Sequence, residues 1–252
     1  MNRLSARLIP IGVVACAALA APCHAQADEW EFRAVPYVWA SGLDGQSAAL
    51  PGFPVAEIDQ SFGDVLDNLD FAFFAVTDAR NGPLLIRTDI AYASLNPKAD
   101  TPGTDYSGVS LVARTFNVSL SAGYSLVQRG DASLDLLAGG RLWSVKNKLT
   151  LAPGTQPGVQ IEGSRTFFDP IVGVALEFPI TRNVQGVASG SIGGFGVGAD
   201  LEFGATAGVF WRLGSRWGLA AGYRYQSVDF DDDGFVYDMD QSGPYMGAFF
   251  EF

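Results

Sequence analysis

Hydrophobic and polar residues alternate along most of the chain after residue 25. The clearest run, 199–213, has apolar side chains at every second position: Leu201, Phe203, Ala205, Ala207, Val209, Trp211 and Leu213. The positions between them include Asp200, Glu202, Thr206 and Arg212. A period of two places these two sets on opposite faces of a β-strand. Because 84–95 and 159–180 repeat the pattern, an all-β fold is predicted.

Ten strands are predicted, and their connections alternate in length. The strands cover residues 29–41, 69–80, 84–95, 108–127, 133–148, 159–180, 184–192, 199–213, 217–230 and 236–252. Short connections lie at 81–82, 128–131, 181–183 and 214–216, and longer ones at 42–68, 96–107, 150–158, 193–198 and 231–235. Such alternation with an even strand number is typical of a closed antiparallel transmembrane β-barrel with short periplasmic turns and longer external loops. Eight and twelve strands are the alternatives.

Hydropathy limits how the chain can meet a membrane. Although 48% of its residues are hydrophobic, no uninterrupted apolar run after residue 25 reaches the length of about 18 that a transmembrane helix needs. A closed barrel is the other structure that satisfies its backbone hydrogen bonds in lipid. Periodicity alone also allows a soluble β-fold with its apolar face inside. We expect five tryptophans near strand ends to lie at the membrane interfaces, which favours the barrel: Trp30, Trp39, Trp143, Trp211 and Trp217.

The first 25 residues have the features of a secretory signal peptide. Arg3 and Arg7 precede an uncharged apolar stretch at 8–21, and Cys23-His24-Ala25 offers small residues for cleavage. We therefore predict a cleaved segment 1–25, a single barrel domain 26–252, and export to the outer membrane of a Gram-negative bacterium. Cleavage removes both cysteines and the one histidine, so the mature chain can hold no disulfide and no Cys or His metal site.

Charge excludes one class of partner. Without Arg3 and Arg7 the chain keeps 16 − 2 = 14 basic residues against 27 acidic ones, a formal charge of −13. So acidic a protein is not expected to bind nucleic acid. The expected partners are outer-membrane lipid and lipopolysaccharide, and the oligomeric state is left open.

The last strand resembles the C-terminal assembly signal of outer-membrane barrels. Residues 243–252 alternate large apolar side chains with smaller or polar ones and end on an aromatic, with Phe250 and Phe252 on one face. The resemblance implies recognition by the barrel-assembly machinery.

Further blocks resemble a family of largely uncharacterised proteobacterial outer-membrane β-barrel proteins. They lie at 30–39, 61–71, 169–173, 193–200 and 222–225, and so extend across the mature chain. The resemblance implies a β-barrel fold and a location in the outer membrane, and it implies no known activity.

A short helix is predicted in the first long connection. Apolar residues at 62, 65, 66 and 69 have helical spacing, Ser61 is placed to cap the helix, and Asp64 completes a variant capping box. A small hairpin at 42–59 precedes it. We expect the apolar stripe to pack on the barrel rim or in the lumen; a gating plug or a partner site is the alternative.

Charged residues occupy the inward positions of the predicted strands. They are Glu31, Arg33, Asp70, Asp78, Arg80, Arg87, Asp89, Asp135, Arg141, Arg165, Asp169, Glu177, Glu202, Arg212, Arg224 and Glu251. A barrel of ten strands has a narrow lumen that such side chains could nearly fill. Their mixed signs predict an ion-pair core, and the wall of a small-solute pore is the alternative.

Two kinds of chemistry bear on this sequence. Most classes of outer-membrane barrel enzyme resemble one another in needing a histidine as the general base or as its partner. The mature chain lacks histidine, so it is predicted not to be an enzyme, and a histidine-independent envelope hydrolase is a remote alternative. Asp229, Asp231, Asp233 and Asp240 have a spacing like the start of an EF-hand loop. A solvated acidic turn is the simpler interpretation, with a calcium site, or sharing of the ions that bridge lipopolysaccharide, as alternatives.

Two hypotheses for function follow. The first is an integral outer-membrane barrel with a structural or surface-interaction role. The second is a narrow, porin-like passive channel for small solutes. They differ in whether the lumen is open.

Overall fold

The computed structural model describes residues 29–48, 54–99 and 105–252, so the predicted signal peptide lies outside the described residues. Within these described ranges, one helix, α1 (Phe62–Asp67), accompanies thirteen strands. The strands are β1 (Glu31–Trp39), β2 (Gly42–Ser47), β3 (Ala56–Gln60), β4 (Leu69–Asn81), β5 (Leu84–Leu95), β6 (Lys98–Ala99), β7 (Tyr106–Arg129), β8 (Ala132–Pro153), β9 (Val159–Pro179), β10 (Val184–Gly194), β11 (Leu201–Arg212), β12 (Trp217–Asp232) and β13 (Phe235–Glu251).

Ten of these strands close into an antiparallel barrel. The order is β1, β4, β5, β7, β8, β9, β10, β11, β12 and β13, and the pairing of β1 with β13 closes the ring. The predicted all-β barrel of about ten strands is confirmed, with strand boundaries within a few residues of those expected. The described part of the chain has no helix long and apolar enough to cross a membrane.

The remaining strands extend one side of the barrel wall. Strand β13 pairs with β1 along its second half and with β2 along its first half, so β2 continues the course of β1 past a break at Ala40 and Ser41. Strand β3 pairs with β2, which confirms the hairpin predicted at 42–59. The short β6 adds two residues alongside β7.

The two ends of the barrel differ. We call one the turn end, because its strands are joined by tight connections such as Gly82-Pro83, where Gly82 adopts a φ of 53°. The first and last strands also meet there, since the Phe252 amide donates to the Phe32 carbonyl over 2.9 Å. We call the other the loop end; it carries α1 and the β2–β3 hairpin. Strands β7, β8 and β9 have 24, 22 and 21 residues, roughly twice the 9 to 11 with which a barrel strand crosses a bilayer.

Side-chain exposure identifies the outer face. In β11, Phe203 is 42% exposed whereas the neighbouring Glu202 is 1% exposed. In β13, Phe250 and Met246 are exposed whereas Phe249 is buried. The predicted arrangement, with apolar side chains outward and polar side chains inward, is therefore confirmed for these strands.

Two of the five tryptophans depart from the prediction. Trp30, Trp211 and Trp217 are exposed near strand ends, as expected of interfacial aromatics, but Trp39 is 7% exposed and Trp143 is 1% exposed. Both lie on the inner faces of their strands, and the Trp39 indole donates to the carbonyl oxygen of Gly243 over 3.2 Å. The prediction of an interfacial position was wrong for these two: Trp39 ends β1 but faces inward, and Trp143 lies in the middle of β8, which is longer than predicted.

Helix α1 forms as predicted but does not pack as predicted. Ser61 is the N-cap: its hydroxyl accepts from the Asp64 amide over 3.3 Å, and the Asp64 carboxylate accepts from the Ser61 amide over 3.0 Å. The helix has no buried residue. Phe62 and Leu66 are 42% and 54% exposed. The expectation that the apolar stripe packs on the rim or in the lumen was wrong, because a helix of six residues that follows a hairpin above the rim reaches too little of the barrel.

Candidate functional site

The interior of the barrel is the candidate site, because ion pairs join strands that lie far apart around the ring. Arg33 on β1 and Glu177 on β9 are five strands apart in a ring of ten, yet Arg33 Nη1 lies 2.7 Å from Glu177 Oε1. Only side chains that cross the lumen can make such a contact. The lumen is therefore narrow, and its charges reach from wall to wall.

The turn end of the lumen opens into a vestibule of about 1050 Å³. Two arginines on its walls form ion pairs with Glu251. Arg212 Nη1 lies 2.5 Å from Glu251 Oε2, and Arg33 Nε lies 3.4 Å from Glu251 Oε1. Glu31 is exposed at the rim of this vestibule. Solvent has room to enter the barrel from this side.

Two further ion pairs narrow the lumen next to the vestibule. Arg87 donates through Nε and Nη2 to the two carboxylate oxygens of Asp78, over 2.7 and 2.8 Å. Arg80 makes a similar two-point contact with Asp135, whose carboxylate also accepts from Ser125. Two-point contacts of this kind fix the orientation of both partners.

Arg224 organises the middle of the lumen. Its guanidinium lies 2.8 Å from Asp89, donates to the Tyr37 hydroxyl over 2.6 Å and donates to Gln226 over 3.1 Å. The same guanidinium lies 5.1 Å from the centre of the Trp39 ring. Arg224 thus joins an acidic partner on β5 to an aromatic wall on β1. Cavities of only about 80 and 120 Å³ remain around it.

A second buried pair lies closer to the loop end. Arg141 is 5% exposed and forms an ion pair with Glu202, while the Trp143 indole donates to Glu202 Oε2 over 3.2 Å. Asp169, on β9, is fully buried and accepts from the Ala199 amide over 2.6 Å. That contact fastens the β10–β11 connection to the inside of the wall.

Aromatic and aliphatic side chains fill the loop end of the lumen. We call this cluster the plug; it comprises Trp143, Val145, Phe167, Ala199, Val228, Phe230, Phe235, Tyr237 and Met239. The rings of Phe167 and Phe230 stack with centroids 4.0 Å apart. Leu43 of β2 and Ile58 of β3 pack against the plug from the hairpin. The plug separates the polar lumen from the loop end.

The sequence-predicted lumen residues divide between these layers. Arg87, Asp89, Asp135, Arg141, Asp169, Glu202, Arg212 and Arg224 all lie on inner faces of barrel strands, and Asp169 is the one whose contact is to a backbone amide. Three further polar residues of the predicted strands lie near the loop end and, among the described residues, take no part in the ion pairs of the lumen. Asp70 and Asp200 are exposed near the loop end, and Arg165 lies 3.8 Å from the exposed Asp232.

The four predicted calcium ligands do not come together. Asp229 and Asp231 lie along β12, Asp233 is in the turn, and Asp240 lies on β13 opposite Ser227. Asp240 accepts instead from the Tyr225 hydroxyl over 2.9 Å. In the part of the chain that the structure describes, no group of three or more acidic, His or Cys side chains is placed to hold a metal ion. A regular hairpin spreads these carboxylates along two strands, whereas an EF-hand loop wraps them around one centre.

Sequence reasoning missed the plug. Its signal is present in β12, where the inner face that carries Arg224 and Gln226 continues with Val228 and Phe230. The change from polar to apolar along one inner face marks where the lumen becomes filled. The pairing of β12 with β13, which brings in Tyr237 and Met239, could not be inferred from that strand alone.

Comparisons with known proteins identify the fold. A scan against models of protein families finds no match, and a search of curated proteins finds none either. Among solved structures, the outer membrane protease OmpT from Escherichia coli matches with a TM-score of 0.52 and 8% identity, over 90% of this chain and 98% of that chain. The translocator domain of the autotransporter NalP from Neisseria meningitidis matches with a TM-score of 0.46 and 10% identity, over 90% of each chain.

Neisserial surface protein A matches with a TM-score of 0.34 and 15% identity, over 88% of this chain and 97% of that chain. The match to the outer membrane protease OmpT, with its TM-score above 0.5, shows a likeness of fold alone, and an identity of 8% carries no activity from that protein to this one. The chain has the fold of an outer-membrane β-barrel.

Proposed function

We propose that this chain is an integral protein of the Gram-negative outer membrane whose barrel is closed to solutes and whose role is structural or in surface interaction. The turn end would face the periplasm and the loop end the outside, as the lengths of the connections indicate. Lipid and lipopolysaccharide would surround the apolar outer face, and the barrel-assembly machinery would insert the chain.

The plug is the observation that carries this proposal. Trp143 is 1% exposed, and Val228, Phe230 and Tyr237 are also buried across the loop end of the lumen. A solute that entered the vestibule would meet first the arginine–carboxylate ion pairs of the lumen and then the packed side chains of the plug. Displacing stacked aromatic rings is expensive because each large side chain buries about 150–250 Å². These features favour a closed barrel over the passive channel.

Planar-bilayer recording of the refolded protein tests the proposal. Insertion would be established first, by heat-modifiable migration on gels and by flotation with lipid vesicles. The inserted protein is expected to give no stepwise conductance above the bare bilayer. Regular conductance steps from protein whose insertion has been established would contradict the closed barrel and favour the channel.

A matched pair of variants shows that the recording can detect an open lumen. Phe167→Ser/Phe230→Ser removes the two stacked rings of the plug and should raise conductance events above the wild-type level. Phe203→Ser/Phe250→Ser removes two rings from the outer face and should leave conductance unchanged, because neither ring lies in the lumen.

A further inference from the structure

In the described part of the chain, the β2–β3 hairpin ends in an unpaired strand edge. Within the described residues, β3 pairs with β2 on one side and with no strand on the other. Its residues 56–60 lie above the rim at the loop end, and Glu57 and Asp59 are exposed. An unpaired edge presents backbone amides and carbonyls that an extended peptide can pair with.

The outer face next to this edge is acidic. Register places Asp59 opposite Asp44, and Asp44 opposite Asp240. One step along the strands, Glu57 lies opposite Gln46, Gln46 opposite Asp238, and Asp238 opposite Asp229. Direct partners share a face, so the six carboxylates lie together on the outside of β3, β2, β13 and β12. We call this surface the acidic face.

Among the residues that the structure places, the acidic face has no compensating charge of its own. Among the described residues, none of its six carboxylates forms an ion pair with a Lys or Arg, and the remaining side chains of the face include Tyr225, Ser227 and Gln46. Like charges directly opposite each other destabilise a sheet. A partner bearing positive charge would relieve that repulsion.

Protection of the edge does not account for the whole acidic face. Charged residues on an edge strand commonly prevent unwanted pairing, and Glu57 and Asp59 are sufficient for that. Asp44, Asp240, Asp229 and Asp238 lie on strands that are already paired on both sides, where their repulsion protects no edge.

The inner side of the hairpin is already occupied. Leu43 and Ile58 pack against the plug, which holds β3 in a fixed position on the barrel. A strand added to β3 would therefore meet a rigid template and would lose little entropy on the receptor side.

We propose that the free edge of β3 binds an extended, lysine- or arginine-bearing segment of another protein, which adds a strand to the sheet and sets its basic side chains against the acidic face. The proposal rests on the proposed surface role and names the kind of partner. A second copy of this chain is disfavoured, because pairing β3 with itself would set Glu57 and Asp59 against the same carboxylates of the other copy.

Fluorescence anisotropy with a labelled probe tests this on the full barrel in lipid nanodiscs. The probe is a short peptide in which lysine alternates with threonine, and a chelator is present so that divalent ions cannot mediate binding. The same peptide with methylated backbone nitrogens keeps every charge but cannot donate backbone hydrogen bonds. Because two or three such bonds each contribute roughly 1 kcal/mol, methylation should weaken binding at least about tenfold.

Charge variants separate the edge from general acidity. Glu57→Gln/Asp59→Asn should weaken binding roughly three- to tenfold, as expected for the loss of two exposed ion pairs. Asp105→Asn/Glu162→Gln removes the same charge just before β7 and near the loop end of β9, and should leave binding unchanged.

Equal binding of the methylated peptide would overturn the proposal, and so would equal weakening by the two charge variants. Concentration-dependent self-association that the peptide competes away would instead assign the edge to a second copy. Conductance of the same nanodisc-derived protein is measured in a separate experiment. A failure of the peptide to bind β3 would therefore not contradict the proposal of a closed barrel.

Discussion

The buried pair of Arg141 and Glu202 allows a quantitative test of the lumen. Glu202 is 1% exposed and Arg141 is 5% exposed, and Glu202 also accepts from the Trp143 indole. Glu202→Leu would leave the guanidinium without its carboxylate in a space from which water is largely excluded. Breaking a buried ion pair by removing one partner costs about 3–5 kcal/mol of unfolding free energy.

Replacing both partners should cost less than replacing one. Arg141→Met/Glu202→Leu removes both charges and keeps similar volume, a change that is often neutral or stabilising for buried pairs. Both variants remove the acceptor of the Trp143 indole, so that cost of about 1–3 kcal/mol cancels in the comparison. We therefore expect the double variant to be at least about 2 kcal/mol more stable than Glu202→Leu alone.

Urea unfolding in phospholipid vesicles, followed by gel mobility, measures these differences. The matched control is Arg212→Met/Glu251→Leu at the turn end, where the Arg212 side chain is 38% exposed. Solvent screens that pair, so its single and double variants should differ by no more than about 1 kcal/mol. A double variant at 141 and 202 as unstable as Glu202→Leu would refute the claim that this lumen excludes water.

Three further predictions concern the outer face, assembly and the helix. Phe203→Lys should cost about 2–4 kcal/mol in vesicle unfolding because it sets a charge against lipid. Val112→Lys, on the outer face near the loop end of β7, should cost less than half as much, and equal costs would contradict the assigned depth. Phe252→Asp should lower the heat-modifiable protein recovered from outer membranes, whereas Phe32→Asp should affect assembly less; normal recovery of Phe252→Asp would contradict the assembly signal. Hydrogen bonds from the Ser61 hydroxyl and amide lower the pKa of Asp64, so the cap should be present at neutral pH and be lost as the pH falls through that lowered value. Ser61→Ala should speed amide exchange in α1 roughly fivefold. Protection of α1 in the wild type that does not change with pH would contradict a stabilising role of the cap.

The strands were predictable because lipid and water impose opposite demands on the two faces of each strand. In β11 the alternation of Glu202 with Phe203 follows from this alone, and so does its inward and outward assignment once the barrel is closed. Turn chemistry supplied the boundaries, as at Asn81-Gly82. The capping box of α1 was equally local, since Ser61 and Asp64 are three residues apart.

The lumen contacts were not predictable, because their partners are distant in sequence. Arg33 and Glu177 are 144 residues apart, and Arg224 and Tyr37 are 187 apart. Alternation shows that each of these side chains points inward, but which ones meet depends on strand tilt and stagger around the whole ring. Trp39 and Trp143 were misplaced for a related reason: an inward aromatic packs against side chains from distant strands, and those partners depend on what lies across the barrel.

Cysteine scanning of β11 tests the central claim most directly, namely that the apolar face meets lipid and the polar face lines the lumen. Single cysteines at Phe203 and Ala207, on the outer face, and at Gly204 and Thr206, on the inner face, would each carry a small fluorophore in vesicles. A lipid-soluble quencher should quench the label at 203 and 207 and leave the label at 204 and 206 bright. Quenching at 204 and 206 with bright labels at 203 and 207, or equal quenching at all four, would contradict the account.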